Sequence, residues 1–265
     1  VGWDGTIYHY DGSFWSQMAS GTTVWLKGVW GSSDNNVYAV GGGNTILRYN
    51  GISWAPVNTG IAGTTNMNGV WGTSAADIFV VGDTGTILHY DGATWSSMDS
   101  GTTQRLNAVW GKTGDSVFAV GDNGVILHYD GSAWSPMDSG ADRYLLGIWG
   151  SAFNDVYAVG EYFILHYDGS KWSQINVDLS NRETVDVWGR SAYDVYIVRE
   201  AGWMLHFDGK TWSAVDSGAS NQLEGIWGAR SGDLFTVGEC GTILHTLKPP
   251  FPWNIFLPAN SDFGK

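Results

Sequence analysis

Hydrophobic and polar residues alternate along the chain in short runs, and each run ends at Gly, Asp, Asn or Ser. Val, Ile, Leu, Tyr, Phe and Trp fill the apolar positions, and β-branched and aromatic residues are enriched in strands. No stretch places apolar residues at helical spacing over three turns. The pattern therefore predicts an all-β chain whose short strands are joined by tight turns.

Four segments recur together along the chain. The pair Trp-Gly stands at Trp30, Trp71, Trp110, Trp149, Trp188 and Trp227, at spacings of 41, 39, 39, 39 and 39 residues. Each pair is followed by a segment such as NVYAVG, then by one such as TILHYDG, and then by a short one that opens with Trp, such as WSQM. Four strands in about 40 residues are typical of one β-propeller blade, and a blade that is apolar on both faces must stack on others. We therefore predict a single β-propeller.

The repeat carries a recognisable motif. The run from Val81 to Trp95 reads VGDTGTILHYDGATW, which contains VG-x-x-G-T-I-L followed by D-G-x-x-W. This motif resembles the propeller repeats of the Asp-box (sialidase-type) and photosystem II assembly-factor families, over roughly residues 1–246. The spacing between Asp and Trp is one residue shorter than in the Asp box. The resemblance implies a propeller fold and its strand order, and it transfers neither sialidase chemistry nor an assembly role, because one fold hosts many functions.

The strand count decides the number of blades. Five units are complete, from Trp30 through Trp212. The C-terminal end holds strands one to three of a further unit, and the N-terminal end holds strands three and four, around Tyr8 and Trp15. We predict six four-stranded blades in a ring that closes by pairing of the N- and C-terminal strands. Seven blades, one of them incomplete, is the alternative.

The repeat pattern stops after residue 246. The stretch KPPFPW that follows holds Pro249, Pro250 and Pro252, three of the six prolines of the chain. Proline has no backbone N–H to donate to a sheet ladder and disrupts helices. We predict a propeller over residues 1–246 and a Pro-rich tail or strap over residues 247–265.

Two polar columns run through the repeat. Asp-Gly or Asn-Gly separates strands three and four, a pair that favours a two-residue type I′ turn. Histidine stands at one position of strand three, with Arg48 in the remaining copy; the six are His9, His89, His128, His166, His206 and His245. A catalytic base or a metal site is made once, from unlike neighbours. We therefore predict that these histidines are structural hydrogen-bonding groups between strands or blades.

Charge and composition exclude several classes of protein. Against 26 Asp and Glu there are 13 Lys and Arg, which gives a net charge of −13 and a pI near 4.6. Such a chain repels nucleic-acid phosphates and anionic lipid. No apolar run approaches the roughly 18–20 residues of a spanning helix, so no membrane insertion is predicted. The one cysteine, Cys240, excludes an internal disulfide framework.

Sequence motifs for catalysis are absent. No G-x-S-x-G, P-loop or zinc-ligand spacing occurs, so we predict no catalytic residue, metal or cofactor. A propeller-type glycosidase would need two carboxylates that face one pocket. Glu183 and Asp186 form the one acidic pair outside the repeat columns that could fill this role.

A binding site is expected where the repeat varies. Five residues before each Trp of Trp-Gly the side chain changes freely, whereas the next position is nearly always apolar. This variable column consists of Trp25, Asn66, Arg105, Tyr144, Glu183 and Gln222. Trp3 and Trp203, outside the tryptophan columns, map to the same face. We predict a ligand site on this loop face, at the mouth of the central channel, and loop variation without any ligand is the alternative.

The function expected from these features is non-enzymatic. We predict a secreted or cell-surface bacterial propeller, extracellular or periplasmic, that binds a protein or glycan or has a structural role. A lectin is the first alternative, because exposed aromatic rings stack on sugars. A propeller-type glycosidase is the second. The oligomeric state does not follow from the sequence.

Overall fold

The computed structural model describes residues 1–179, 182–228, 232–246 and 254–256. Its contacts divide the chain into two compact units, Val1–Asp138 and the part from Ser139 onward. The regular structure of these residues consists of strands and three-residue 3-10 turns. The predicted all-β class is therefore confirmed. None of the described helical segments is long or apolar enough to cross a membrane.

The first unit begins with a hairpin and continues with three four-stranded sheets. Strands β1 (Ile7–Tyr10) and β2 (Trp15–Met18) pair with each other and form a two-stranded sheet. The three sheets that follow are antiparallel, with their strands in chain order. They comprise β3 (Leu26–Ser33), β4 (Asn36–Gly41), β5 (Thr45–Tyr49) and β6 (Trp54–Pro56); β7 (Met67–Ser74), β8 (Asp77–Gly82), β9 (Ile87–Tyr90) and β10 (Trp95–Met98); and β11 (Leu106–Thr113), β12 (Ser116–Gly121), β13 (Ile126–Tyr129) and β14 (Trp134–Met137).

The second unit holds three further sheets of the same kind. They comprise β15 (Leu145–Ala152), β16 (Asp155–Gly160), β17 (Phe163–Tyr167) and β18 (Trp172–Gln174); β19 (Thr184–Ser191), β20 (Asp194–Arg199), β21 (Trp203–Phe207) and β22 (Trp212–Asp216); and β23 (Leu223–Gly228), β24 (Leu234–Gly238), β25 (Ile243–Thr246) and β26 (Asn254–Phe256). Each sheet corresponds to one predicted blade, so the six four-stranded blades are confirmed.

The second strand of each blade forms the core. In β12, Val117, Phe118, Ala119 and Val120 are almost completely buried. Both faces of this strand are covered, which explains why its sequence is a continuous apolar run instead of an alternating one. The first strand carries a β-bulge, seen between Leu106 and Ala108 in the pairing of β11 with β12. The bulge bends the strand locally and shifts its register.

Neighbouring blades within a unit are fitted together by the Trp-Gly pair. An ideal Cβ on Gly111 would lie 2.7 Å from the Trp71 ring of the preceding blade. The same relation joins Gly72 to Trp30 in the first unit and Gly189 to Trp149 in the second. The glycine is required because the ring of the previous blade fills the place of a side chain.

The turn between strands three and four differs from the prediction. Tyr10 pairs with Trp15, so the loop has four residues instead of two. The Asp11 Oδ1 atom accepts hydrogen bonds from the backbone N–H groups of Ser13 and Phe14, both at 2.7 Å. Only the glycine takes a positive φ, +96° at Gly12. The type I′ assignment is wrong because the aspartate closes the loop with its side chain.

The predicted closure of the ring is also wrong. Among the described residues, strand β2 pairs with β1 and with no strand of the blade that holds Trp227. The fourth strand of that blade is β26, which pairs with β25. β26 lies in the stretch assigned to the tail, beyond the three prolines that were expected to prevent a sheet. The prolines restrict only their own backbone, and Asn254–Phe256 has N–H groups to donate. The domain boundary at residue 246 stays a prediction.

Candidate functional site

The variable column occupies one backbone position in all six blades. In each blade its carbonyl oxygen accepts a hydrogen bond from the N–H of the residue that follows strand two. The acceptors are Trp25, Asn66, Arg105, Tyr144, Glu183 and Gln222, at N···O distances of 3.0, 3.0, 2.9, 3.2, 3.2 and 2.9 Å. The backbone is therefore constant while the side chain varies, as a scaffold for a binding surface requires.

The turn after strand two supplies the neighbours of this column. This turn is acidic in most blades, at Asp83, Asp122, Glu161, Glu200 and Glu239, and Trp3 takes the same position before β1. The turn residue contacts the variable residue of its own blade, the next blade, or both. Trp3 and Asp83 illustrate this relation in the first unit.

In the first unit, Trp3 and Trp25 form a stacked pair. Their ring centroids are 4.1 Å apart and their planes differ by 8°. Trp3 is 67% exposed and Trp25 is 40% exposed, so the pair offers a large apolar surface to a partner. The Lys27 ammonium lies 4.9 Å from the centroid of the Trp25 ring, in a cation–π contact.

A polar network continues from Lys27 across the next two blades. Lys27 donates to Asn68 Oδ1 at 2.7 Å, and Asn68 Nδ2 donates to Asp83 Oδ1 at 2.9 Å. Asn66 Nδ2 donates to the other oxygen of Asp83 at 2.8 Å. The Arg105 Nε atom lies 3.1 Å from Asp83 Oδ1. Asp83 thus fixes Asn66 and Arg105, two of the predicted residues, side by side.

The neighbours of Asp83 in this network keep its carboxylate ionised. Burial raises the pKa of Asp83, but the hydrogen bonds from Asn68 and Asn66 and the cations of Arg105 and Lys27 outweigh it and hold the pKa below its usual value. Burial lowers the pKa of Lys27, and Arg105 lowers it further. The Asp83 carboxylate therefore stays ionised as the anchor between two cations.

The second unit presents a different surface. Tyr144 is 45% exposed, and the neighbouring residues Arg143 and Glu161 line an open groove of about 520 Å³. Glu183 and Glu200 exchange hydrogen bonds, since Glu183 N donates to Glu200 Oε2 at 3.3 Å and Glu200 N donates to Glu183 O at 3.2 Å. Carboxylates and aromatic rings dominate this region, and the guanidinium groups of Arg143 and Arg182 lie beside them.

Repulsion between carboxylates marks this acidic region. Burial raises the pKa of Glu183, and Glu200, Glu161 and Glu224 raise it further. Burial and Glu239 likewise raise the pKa of Glu224. Nearby, the Arg182 guanidinium lies 4.9 Å from the Trp203 ring centroid, and Arg199 Nη2 donates to the Arg182 carbonyl at 3.2 Å. Trp203 is thus placed beside the residue that precedes Glu183.

The two carboxylates of the acidic pair considered for glycosidase chemistry have different surroundings. Asp186 is half-buried, and its two oxygens accept hydrogen bonds from Val187 N at 2.9 Å and Ile226 N at 3.0 Å. Burial raises its pKa to about 6. Glu183 stands at the variable column with other carboxylates. Asp186 therefore joins two strands and does not face an open pocket with Glu183.

The histidine column pairs strand three with strand two. His89 Nε2 lies 2.8 Å from Asp77 Oδ1, His166 Nε2 lies 2.7 Å from Asp155 Oδ1, and His206 Nε2 lies 2.8 Å from Asp194 Oδ1. His128 faces Ser116 at 3.2 Å instead. Among the residues that the structure describes, no three His, Cys, Asp or Glu side chains are grouped to hold a metal ion.

The network in the first unit includes residues that the sequence did not single out. Lys27 and Asn68 occupy the position after the apolar column, where Asn107, Leu146, Val185 and Glu224 stand in the other blades. That position varies as freely as the variable column, so the sequence contained a signal that could have identified Lys27 and Asn68. Arg182 and Arg199 also interrupt the repeat, near Trp203.

Comparison with known proteins agrees with the strand order. YCF48 bound to D1 peptide has a TM-score of 0.70 at 15% identity, covering 96% of this chain and 84% of that chain. The WD40 β-propeller domain of Doa1 has a TM-score of 0.77 at 13% identity, covering 97% and 87%. The fold is a β-propeller. The resemblance to photosystem II assembly-factor repeats is thereby confirmed for the fold.

The sequence comparisons match a smaller part of the chain than the structural comparisons do. No protein-family model matches the chain. The immune protein Tsi7 of Pseudomonas aeruginosa is 41% identical over 54 residues, which are 20% of this chain and 18% of that protein. The chain therefore spans less than a fifth of that relative. The matched 54 residues are about one and a half repeats long.

Proposed function

We propose that this chain is a non-enzymatic binding propeller and that a protein partner docks on the variable column of the first unit. The observation that carries the proposal is the exposed, stacked pair Trp3 and Trp25, with Lys27 against one ring. Arg105 extends the same surface. Trp and Arg are enriched among the residues that supply most of the binding energy at protein interfaces.

These side chains are already held in fixed positions before a partner binds, and this supports the proposal. Stacking fixes the two indole rings, and Asp83 fixes Arg105. Side chains that are already held lose less conformational entropy when a partner arrives. Among the similar structures, YCF48 holds a D1 peptide, which favours a peptide or protein as the class of ligand.

The experiment compares binding on a peptide array and on a glycan array. We expect the wild-type chain to bind peptides and the Trp25→Ala variant to bind them about 5- to 100-fold more weakly, which corresponds to about 1–3 kcal/mol. Phe14→Ala is the matched control, because Phe14 is also an exposed aromatic residue of the first unit but lies outside the variable column. Its peptide binding and melting temperature should equal those of the wild type.

Two results would contradict the proposal. One is unfolding of the Trp25→Ala variant, which would make Trp25 a structural residue. The other is unchanged peptide binding in both Trp25→Ala and Arg105→Ala. Thermal melting and fluorescence titration distinguish the two results, since the first changes the melting temperature and the second leaves the affinity unaffected.

A lectin is the second candidate function. The stacked indoles form a flat apolar platform, and Lys27, Asn66 and Arg105 supply hydrogen-bond donors around it. This combination also suits a sugar ring. Binding on the glycan array without binding on the peptide array would favour this candidate over a protein partner.

A glycosidase is disfavoured by the hydrogen bonds of Asp186, whose two carboxylate oxygens both accept from backbone N–H groups. A retaining or inverting enzyme needs two carboxyl groups that reach one substrate. A fluorogenic glycoside panel tests this point. Turnover that Glu183→Gln abolishes would overturn the non-enzymatic proposal.

We further propose that the protein acts outside the bacterial cytosol, on the cell surface or in the periplasm. The proposal rests on the regular repeats and the net charge of −13. Fractionation of cells that produce the natural protein, followed by immunoblotting, tests it. Recovery in the cytosolic fraction alone would contradict it.

A further inference from the structure

Lys27 is a half-buried cation that has no carboxylate in contact with it. Its ammonium donates to Asn68 Oδ1 at 2.7 Å and lies 4.9 Å from the centroid of the Trp25 ring. Among the residues that the structure describes, no Asp or Glu oxygen lies within ion-pair distance of the Lys27 Nζ atom. A lysine that is withdrawn from water usually has an opposite charge beside it. Lys27 has a neutral amide instead.

Arg105 reaches the same amide from another blade. Its Nη2 atom donates to Asn68 Oδ1 at 3.4 Å, the oxygen that also accepts from Lys27. Lys27 belongs to β3, Asn68 belongs to β7 and Arg105 precedes β11, so the packing of three consecutive blades brings the two cations to one point. Their repulsion is not cancelled, since Arg105 adds to the lowering of the Lys27 pKa that burial causes.

The charges of this group do not balance. Asp83 raises the pKa of Lys27, but less than Arg105 lowers it. The oxygens of Asp83 already accept from Asn66 and Asn68, and Arg105 Nε lies 3.1 Å from one of them. Two cations and one carboxylate leave one positive charge in excess. The chain as a whole has a net charge of −13, so this excess is a local feature of the site.

Lys27 and Arg105 have further hydrogen-bond donors to offer. An ammonium carries three N–H bonds and a guanidinium carries five. Among the contacts of the described residues, Lys27 directs one N–H to Asn68, and Arg105 directs Nη2 to Asn68 and Nε to Asp83. The Arg105 side chain is 44% exposed, so its other donors are accessible from solvent. A carboxylate has two oxygens and is able to accept from both cations at once.

The indole of Trp25 lines one side of this point. Trp25 is exposed and stacks on Trp3, so a group that Lys27 holds meets an apolar ring beside it. The position of Lys27 carries no cation in the other blades, where it is occupied by Asn68, Asn107, Leu146, Val185 and Glu224. A cation at this position therefore occurs in one of the six blades.

We propose that Lys27 and Arg105 form a carboxylate-binding subsite and that the ligand carries an apolar side chain next to this carboxylate, for contact with Trp25. The inference rests on the proposed function, since the subsite belongs to the same docking surface. The carboxylate is that of an Asp or Glu side chain or of a peptide C-terminus. Its single charge cancels the excess of one positive charge. A phosphate group carries about −1.5 to −2 at pH 7 and would exceed it.

The experiment titrates the protein with small blocked ligands and follows the NMR signals of the Trp25 indole N–H and the Arg105 Nε–H. N-acetyl-leucine supplies a terminal carboxylate, and N-acetyl-Leu-Asp-amide supplies a side-chain carboxylate. Their neutral counterparts are N-acetyl-leucinamide and N-acetyl-Leu-Asn-amide. We expect at least one carboxylate ligand to bind at least ~10-fold more tightly than its neutral counterpart, because the neutral ligand lacks the charge-assisted hydrogen bonds. The tighter of the two carboxylate ligands identifies the source of the carboxylate.

Variants test whether Lys27 and Arg105 provide this affinity. Lys27→Met and Arg105→Gln each keep an unbranched side chain and remove one positive charge. Each should weaken carboxylate binding at least ~10-fold and leave binding of the neutral counterparts unchanged. Lys171→Met is the matched control, because it removes one positive charge from an exposed turn elsewhere in the chain. Its carboxylate binding should equal that of the wild type, and thermal melting verifies that every variant is folded.

Several results would overturn the subsite. They are equal binding of the carboxylate ligands and their neutral counterparts, tighter binding of methyl phosphate than of both carboxylate ligands, and full carboxylate affinity in both Lys27→Met and Arg105→Gln. A lack of carboxylate binding at about 20 mM ligand has the same meaning as the first result. The first two comparisons use the wild-type chain, so they do not depend on whether a variant folds.

Failure of the subsite is distinguishable from failure of the proposed function. The proposed function requires peptides that bind on the array and that depend on Trp25. Peptides of this kind are resynthesised with Asn and Gln in place of every Asp and Glu and with an amidated C-terminus. If they still bind as tightly, the proposed function stands and the subsite is refuted. If no peptide binds on the array while N-acetyl-leucine binds in a Lys27-dependent manner, the subsite stands and the proposed function fails.

Discussion

At the scale of single residues, the histidine column illustrates how a repeated polar group stabilises a strand pair. His89 binds Asp77 and stacks on Phe79, with ring centroids 4.3 Å apart. We expect His89→Ala to lower the free energy of unfolding by about 1–3 kcal/mol, because Asp77 Oδ1 loses its partner in a half-buried site while Thr73 still donates to Oδ2. Urea denaturation measures the change.

His9 provides the matched control for this prediction. It stands at the same repeat position, but it is exposed and faces no aspartate across the sheet. His9→Ala should change the free energy of unfolding by less than about 0.5 kcal/mol. Equal losses in both variants would mean that the histidine contributes through strand propensity and not through its aspartate.

Asp186 is the residue for which pH has the clearest expected effect. Burial raises its pKa to about 6, above the value near 3.8 of an unfolded chain, so the folded state binds the proton more tightly. The contribution of Asp186 to the free energy of unfolding should therefore rise as the pH falls from about 6 to about 4, by about 3 kcal/mol in total. Above pH 6 this contribution is absent.

Asp186→Ala should remove this part of the pH dependence. Alanine is compatible with the position, since Ala108 and several glycines stand there in the other blades. Urea denaturation at pH 7 and at pH 4.5 gives the difference between wild type and variant at each pH. A difference that does not depend on pH would show that Asp186 titrates in the usual acidic range.

At the scale of strands and blades, the contact between a tryptophan and the glycine of the next blade fixes how two blades stack. A methyl group on Gly111 would stand 2.7 Å from the Trp71 ring, closer than van der Waals contact. We expect Gly111→Ala to cost about 1–3 kcal/mol, because the ring or a strand must move. Differential scanning calorimetry measures the loss.

Gly42 is the control for a glycine without this contact. Its nearest neighbour from an ideal Cβ is 3.6 Å away, and its backbone is not in the left-handed region. Gly42→Ala should leave stability unchanged or raise it by up to about 1 kcal/mol, since alanine restricts the unfolded chain. If both variants lose the same free energy of unfolding, glycine is required at these positions by the backbone conformation and not by contact with the tryptophan ring.

At the scale of the whole molecule, the last blade is completed by a strand that the repeat pattern does not predict. β26 pairs with β25 and completes the fourth position of that sheet. A chain that ends at residue 246 would lose this strand and expose the edge of β25. We expect a lower melting temperature and faster amide exchange in β24 and β25.

A chain that ends at Phe256 keeps β26 and serves as the control. It should retain the melting temperature of the full chain. The comparison also tests the proposed boundary between a propeller over residues 1–246 and a separate tail. Identical melting of all three chains would support that boundary and contradict a structural role for β26.

The sequence by itself determined the class of fold and the blades, because each repeat carries its own strand, turn and packing signals. The structure of each motif depends on residues within about one repeat of it. This holds for Trp-Gly, for the buried Val-Tyr-Ala-Val run and for the Asp-Gly turn. It also located the variable column, since a position that changes within a constant repeat is visible without coordinates. It could not give the turn type, because the Asp11 side chain replaces the backbone bond of a two-residue turn.

Only the tertiary structure decided which residues act together. Trp3 and Trp25 are 22 positions apart, and no periodicity predicts that their rings stack. Lys27, Asn68 and Asp83 meet because strands from neighbouring blades lie side by side. The closure was predicted wrongly for the same reason. Pairing between distant strands is set by which edges and faces remain uncovered once the blades have packed, and a local pattern carries no information about that outcome.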